Sequence, residues 1–136
     1  MRFSILLLFA LSFLYSCDKD HDRIPYVYVN IQKSLDDPEL NGLLIPGNFV
    51  YLTGGVNGII LYRLNNEEFM AWERTCPYQP VNNCKITIDD TNIFGVCPCC
   101  ESKYSILDGT AQEGPSSYPL KSYQTYFDGL NIRIYN

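Results

Sequence analysis

Two short segments hold five of the six cysteines of this 136-residue chain. The first is Thr75-Cys76-Pro77-Tyr78-Gln79-Pro80-Val81-Asn82-Asn83-Cys84. The second is Val96-Cys97-Pro98-Cys99-Cys100-Glu101-Ser102-Lys103-Tyr104. Thiolates bind soft metals and clusters of iron and sulfur, and pairs of thiols oxidise to disulfides. A short hairpin between the segments would bring four or five sulfurs into one small volume. Nucleophilic catalysis is disfavoured, because the only histidine, His21, lies far away in the N-terminal leader. The chain also lacks a convincing acid–base pair or Ser/His/Asp set, so no catalytic residue is assigned.

The elements that must position these loops read as strands. Tyr26 to Ile31 alternates, which places Val27, Val29 and Ile31 on one face. Ser34 to Gly47 carries Asp36-Asp37-Pro38 and Ile45-Pro46-Gly47 and reads as a connecting loop. Strands are expected over 48–53, 59–64 and 67–75, the last delivering Cys76. In that strand Met70 and Trp72 share one face, Ala71 and Glu73 the other. Trp72 is expected to support core or loop rather than to stack on a ligand. Gly54-Gly55-Val56-Asn57-Gly58 has the glycines of a phosphate cradle, but no helix pattern or P-loop lysine follows it, so it reads as a turn.

Residues 85–89 and 92–96 read as a hairpin whose second arm delivers Cys97. A second hairpin spans 103–112 around Asp108-Gly109. A third pairs 121–127 with 130–135 across Asp128-Gly129, with Leu130, Ile132 and Ile134 facing inward. Eight to ten short strands without a long amphipathic helix specify an all-β antiparallel sandwich or barrel.

Residues 1–17 read as a secretory signal peptide: Arg2 supplies a positive start and an apolar run follows, too short to span a membrane. Leu14-Tyr15-Ser16-Cys17 resembles a bacterial lipobox. Its implication is a lipidated Cys17 as the first mature residue, and hence a lipid-anchored protein of the bacterial cell envelope, on the outer membrane. Residues 18–25 then form a polar tether, and 26–136 the folded domain. The acidic start after Cys17 resembles the surface-export signals of Bacteroidetes lipoproteins. The formal net charge is −5, which argues against a nucleic-acid partner.

The second cysteine segment carries a further resemblance. Cys97-Pro98-Cys99-Cys100-Glu101-Ser102-Lys103-Tyr104, the Asp108-Gly109 turn, Gly114-Pro115 and the run Pro119-Leu120-Lys121-Ser122-Tyr123 resemble the second half of a Rieske iron–sulfur domain. Thr75-Cys76-Pro77-Tyr78 resembles its first ligand loop. The resemblance covers roughly residues 50–135. It implies a β fold with a small subdomain that holds a [2Fe–2S] cluster through two cysteines and two histidines. Cys76 and Cys97 fall at the cysteine positions. Tyr78 and Cys100 fall where histidines belong, and Glu101 replaces a glycine. Some Rieske domains also carry a disulfide between the two loops, and by that resemblance Cys84 and Cys99 are the candidates.

Three readings stay open. A variant [2Fe–2S] site would use Cys76, Cys97 and Cys100, completed by Cys84 or, more weakly, Tyr78, and would pass electrons to a redox partner protein. A structural zinc site would use Cys76-x7-Cys84-x12-Cys97-x2-Cys100. A cluster-free binding domain would rest on disulfides, as exported proteins often do. Five cysteines besides Cys17 cannot all pair within one chain.

Overall fold

The computed structural model describes residues 24–136. The signal peptide, the lipidation site at Cys17, His21 and the tether up to residue 23 lie outside them. No helix among the described residues is long and apolar enough to cross a membrane.

Among the described residues, ten strands form two antiparallel sheets. They are β1 (Asn30–Ser34), β2 (Phe49–Leu52), β3 (Ile59–Arg63), β4 (Phe69–Glu73), β5 (Thr87–Ile88), β6 (Phe94–Val96), β7 (Lys103–Ser105), β8 (Ala111–Glu113), β9 (Ser122–Phe127) and β10 (Asn131–Tyr135). The larger sheet has the order β1-β10-β9-β4-β3-β2, and the smaller one the order β5-β6-β7-β8. The smaller sheet is an insertion between β4 and β9, which pair with each other. It carries the second cysteine segment between β6 and β7.

Strand β3 shows why the architecture has two cores. All five of its residues are buried. Ile59 and Leu61 belong to one apolar cluster with Leu40, Phe69 and Ile132. Ile60 and Tyr62 belong to another with Trp72, Ile86, Tyr104 and the three buried cysteines Cys76, Cys84 and Cys97. Consecutive side chains of a strand point to opposite faces, so an uninterrupted apolar strand must be covered on both. The larger sheet is thus a middle layer, and the cysteines form part of its second core.

Three expectations need correction. The first strand begins at Asn30, not Tyr26, and Val27 is exposed. The Asn136 side chain accepts from Val29 N–H at 3.0 Å and donates to Val27 C=O at 2.8 Å, so a side chain replaces ladder bonds there. Leu130 is exposed, because Asp128 Oδ1 accepts from the backbone N–H groups of both Leu130 and Asn131 and holds Leu130 in the turn. The supposed connecting loop contains a 3-10 helix, Pro38–Leu44, whose Leu40 and Leu43 are fully buried. The buried Arg63 guanidinium fastens that helix by donating to Leu43 C=O at 2.8 Å and Leu44 C=O at 3.2 Å.

Glu73, at the end of β4, is fully buried. Its Oε2 accepts from Val56 N–H at 2.8 Å and Tyr123 O–H at 2.7 Å. Its Oε1 accepts from Asn57 N–H, Thr75 N–H and Thr75 O–H at 3.0, 2.9 and 2.8 Å. The glycine run is therefore a turn that wraps a carboxylate of its own chain. Gly55 has φ +62°, and a Cβ there would lie 2.2 Å from Glu73 Oε2. Burial alone would raise the Glu73 pKa, but the hydrogen bonds from Val56, Tyr123, Asn57 and Thr75 outweigh it and hold the carboxyl below the ordinary glutamate value. A depressed folded-state pKa stabilises the fold above the unfolded-state value, and the gain is lost as pH falls through the folded-state value. Glu73→Gln should cost about 3 kcal/mol at neutral pH, since it leaves buried N–H donors facing an amide. Urea unfolding should show that cost shrinking as pH falls below the ordinary glutamate value and through the lower folded-state one; a variant with unchanged neutral stability would refute the role.

Candidate functional site

Backbone hydrogen bonds close each cysteine loop at its base. Cys76 N–H donates to Cys84 C=O at 2.9 Å, just beyond the Thr75–Lys85 bridge. Cys97 N–H donates to Ser102 C=O and Glu101 N–H to Cys97 C=O, each at 2.9 Å. The Cys84–Cys99 disulfide joins the loops, with a Cα–Cα distance of 6.2 Å. Trp72 braces the second loop's hairpin from below. Its indole N–H donates to Ile106 C=O at 2.9 Å, and its ring packs where Gly109, at φ +76°, has no Cβ. Loop support is thus what Trp72 provides.

Cys76, Cys97 and Cys100 are free thiols. Their Sγ atoms all lie within 4.8 Å of one another, and Cys76 and Cys100 approach to 3.6 Å. The site therefore gathers three of the four proposed metal-binding cysteines. Cys84 leaves that set, because a sulfur bonded to Cys99 carries no thiolate charge. Tyr78 is half-buried against the same core.

The three thiols differ in environment. Burial, reinforced by the Cys76 thiol, pushes the Cys97 pKa up to about 12. Burial also opposes ionisation of Cys100, yet hydrogen bonds from the Ser102 side chain and backbone, and from Cys97 and Cys76, bring its pKa below the ordinary thiol value. Of these two thiols, Cys100 thus takes negative charge before Cys97. Two residues absent from the sequence-derived site complete it. Ser102 Oγ lies 3.2 Å from Cys100 Sγ and accepts from Ser116 N–H at 3.1 Å. The buried Tyr104 hydroxyl lies 3.7 Å from Cys76 Sγ. The available signal was their two-residue alternation after Cys100, which aims both at the same side.

Glu101 has φ +59°, a conformation in which a side chain is strained and glycine is not. Glu101→Gly should therefore stabilise the domain by about 1 kcal/mol, less the added freedom of the unfolded chain. A higher urea midpoint with an unchanged slope would show it, and a lower midpoint would refute it.

No family model and no curated protein matches the chain at the sequence level. Solved structures do match its fold. The cyanobacterial plasma membrane Rieske protein PetC3 from Synechocystis PCC 6803 is 20% identical, with a TM-score of 0.57 over 82% of this chain and 100% of that one. The ferredoxin of carbazole 1,9a-dioxygenase from Nocardioides aromaticivorans IC177 is 17% identical, with a TM-score of 0.53 over 80% and 95% of the two chains. At these identities the likeness concerns backbone architecture, and it agrees with the two sheets and paired cysteine loops: the chain has the Rieske fold.

Proposed function

We propose that this chain is an electron carrier whose iron–sulfur centre is bound by thiolates rather than by the histidine pair of a standard Rieske site. The observation that carries the reading is the convergence of Cys76, Cys97 and Cys100 within 4.8 Å at the loops where the Rieske fold holds its ligands. A [2Fe–2S] cluster needs four ligands, and these three thiols would supply three of them once the loops spread to span two irons. With Cys84 tied to Cys99, the fourth is left to an oxygen, from Tyr78 or from solvent. Such a cluster would supply one-electron transfer at a potential below that of a histidine-ligated centre. The protein contributes three placed sulfurs, the Ser102 and Tyr104 hydroxyls beside two of them, and an apolar core that keeps water from Cys76 and Cys97. A one-electron carrier without a catalytic set of its own needs a redox partner protein.

A single tetrahedral ion such as zinc is the second reading, and the mutual closeness of all three sulfurs favours it. Metal–sulfur bonds of about 2.3 Å put all the sulfurs around one tetrahedral ion about 3.8 Å apart, and the three thiols all lie within 4.8 Å of one another, with Cys76 and Cys100 at 3.6 Å.

Anaerobic purification followed by iron, zinc and acid-labile sulfide analysis separates the readings. Iron with equimolar sulfide and visible charge-transfer absorption is expected; one zinc in a colourless protein would establish the second reading, and no metal would end both. Cys97→Ser should abolish binding, while Tyr78→Phe should leave the metal content unchanged if solvent fills the fourth place.

We extend the reading to the leader. Leu14-Tyr15-Ser16-Cys17 supports lipidation at Cys17 and a bacterial envelope location, with the membrane as partner through the acyl chains. Labelling with a tagged fatty acid should mark the wild type and not Cys17→Ser; equal labelling would refute it.

A further inference from the structure

Cys97 belongs to two sulfur clusters at once. Its Sγ lies within 4.8 Å of Cys76 and Cys100, and also within 4.8 Å of both sulfurs of the Cys84–Cys99 disulfide. A free thiol in near contact with a disulfide is the starting arrangement for thiol–disulfide exchange. We propose that the Cys84–Cys99 disulfide migrates inward through Cys97 to a Cys97–Cys100 disulfide, so that the five sulfurs alternate between a metal-binding state and a capped state. The inference rests on the metal reading above, whose site it regulates.

Two exchanges complete the migration. In the first, Cys97, a buried thiol ionised in only a small fraction of molecules and therefore slow to react, attacks Cys84 Sγ as its thiolate. The Cys97–Cys84 bond forms, the Cys84–Cys99 bond breaks, and the electron pair leaves on Cys99. Cys99 is exposed, so water stabilises it as leaving group and returns the proton given up by Cys97. Attack at Cys99 instead would close a cramped ring across Pro98 alone. In the second exchange, the Cys100 thiolate attacks Cys97 Sγ. The Cys97–Cys100 bond forms, and Cys84 departs and takes up a proton. Cys97-Pro98-Cys99-Cys100 has the Cys-x-x-Cys spacing that redox disulfides use. One disulfide and three thiols are present before and after, so no outside oxidant or reductant enters.

The two states differ in what they offer a metal. With the bond at Cys84–Cys99, three thiols converge. With it at Cys97–Cys100, only Cys76 of that triad is still a thiol, and the site is closed. A bound metal engages Cys97 and Cys100 and locks the outer disulfide in place.

The test uses the full chain, stripped of metal with a chelator and held without oxygen at about pH 8.5, where thiol exchange is faster. Aliquots are quenched in acid, alkylated and mapped by peptide mass spectrometry. The expected result is a Cys97–Cys100 linkage growing at the expense of Cys84–Cys99, at a rate independent of protein concentration. Cys100→Ser should stop at the Cys84–Cys97 linkage, and Cys97→Ser should keep Cys84–Cys99 alone. Zinc chloride added beforehand should hold the wild type in the Cys84–Cys99 form. A wild type that keeps only Cys84–Cys99 for a day, with no Cys84–Cys97 in Cys100→Ser, would overturn the inference; if that same protein binds zinc or iron, the metal reading stands without it. Migration unaffected by zinc, in a protein that binds no metal, would overturn the switch together with the metal reading.

Discussion

A buried carboxylate that finds no cation among the described residues holds the strand that leads into the site. Removing such a charge from water costs several kcal/mol unless hydrogen bonds replace its hydration. Glu73 receives five, from the glycine turn, from Thr75 and from Tyr123 on β9. Those donors come from three separate stretches of chain, so satisfying one carboxylate fixes the turn, the end of β4 and β9 together. Cys76 follows Glu73 by three residues. Its position is inherited from that arrangement, since Thr75 is gripped through both its N–H and its hydroxyl.

Burial on both faces of the middle sheet does the rest. Odd positions of β3 and β4 fill one core and even positions the other, and the second core includes the cysteine loops themselves. The thiols are thus part of the apolar packing rather than attached to its surface. This explains their unequal chemistry. Cys97 lies deepest and resists ionisation, while Cys100, half-buried beside Ser102, takes the charge. The disulfide clamps the outer part of the loops and leaves the inner thiols uncommitted.

Much of this was legible in the residues. Alternation located most of the strands, and the Asp108-Gly109 and Asp128-Gly129 pairs located turns. What escaped depends on contacts distant in sequence. Glu73 looked like an ordinary neighbour of Ala71, and nothing local says that residues 55–57 return to enclose it. Leu40 and Leu43 sat among turn-forming residues, and only the Arg63 side chain, some twenty positions away, reveals that their segment is pinned against the core. The alternation of Leu130 with Ile132 and Ile134 suggested one face, but the pattern holds only while the chain is extended, and Asp128 keeps Leu130 in the turn. For the site, residue types pointed to thiolate chemistry. They did not reveal the pairing of the Ser102 and Tyr104 hydroxyls with Cys100 and Cys76, which depends on the path of the loop.

Trp72 gives the molecule a built-in optical probe. It is the only tryptophan in the chain, and its indole joins the larger sheet to the Ile106–Gly109 turn of the smaller one while sharing a core with Cys76 and Cys97. Excited at a wavelength the eleven tyrosines barely absorb, its emission will therefore report on a single junction. Undocking of the smaller sheet wets the indole and shifts its emission to the red. An iron centre bound there, as proposed, would drain its excited state by energy transfer. Separation of the sheets and any loading of the site would thus leave different marks, one on the wavelength and one on the intensity of the same fluorophore.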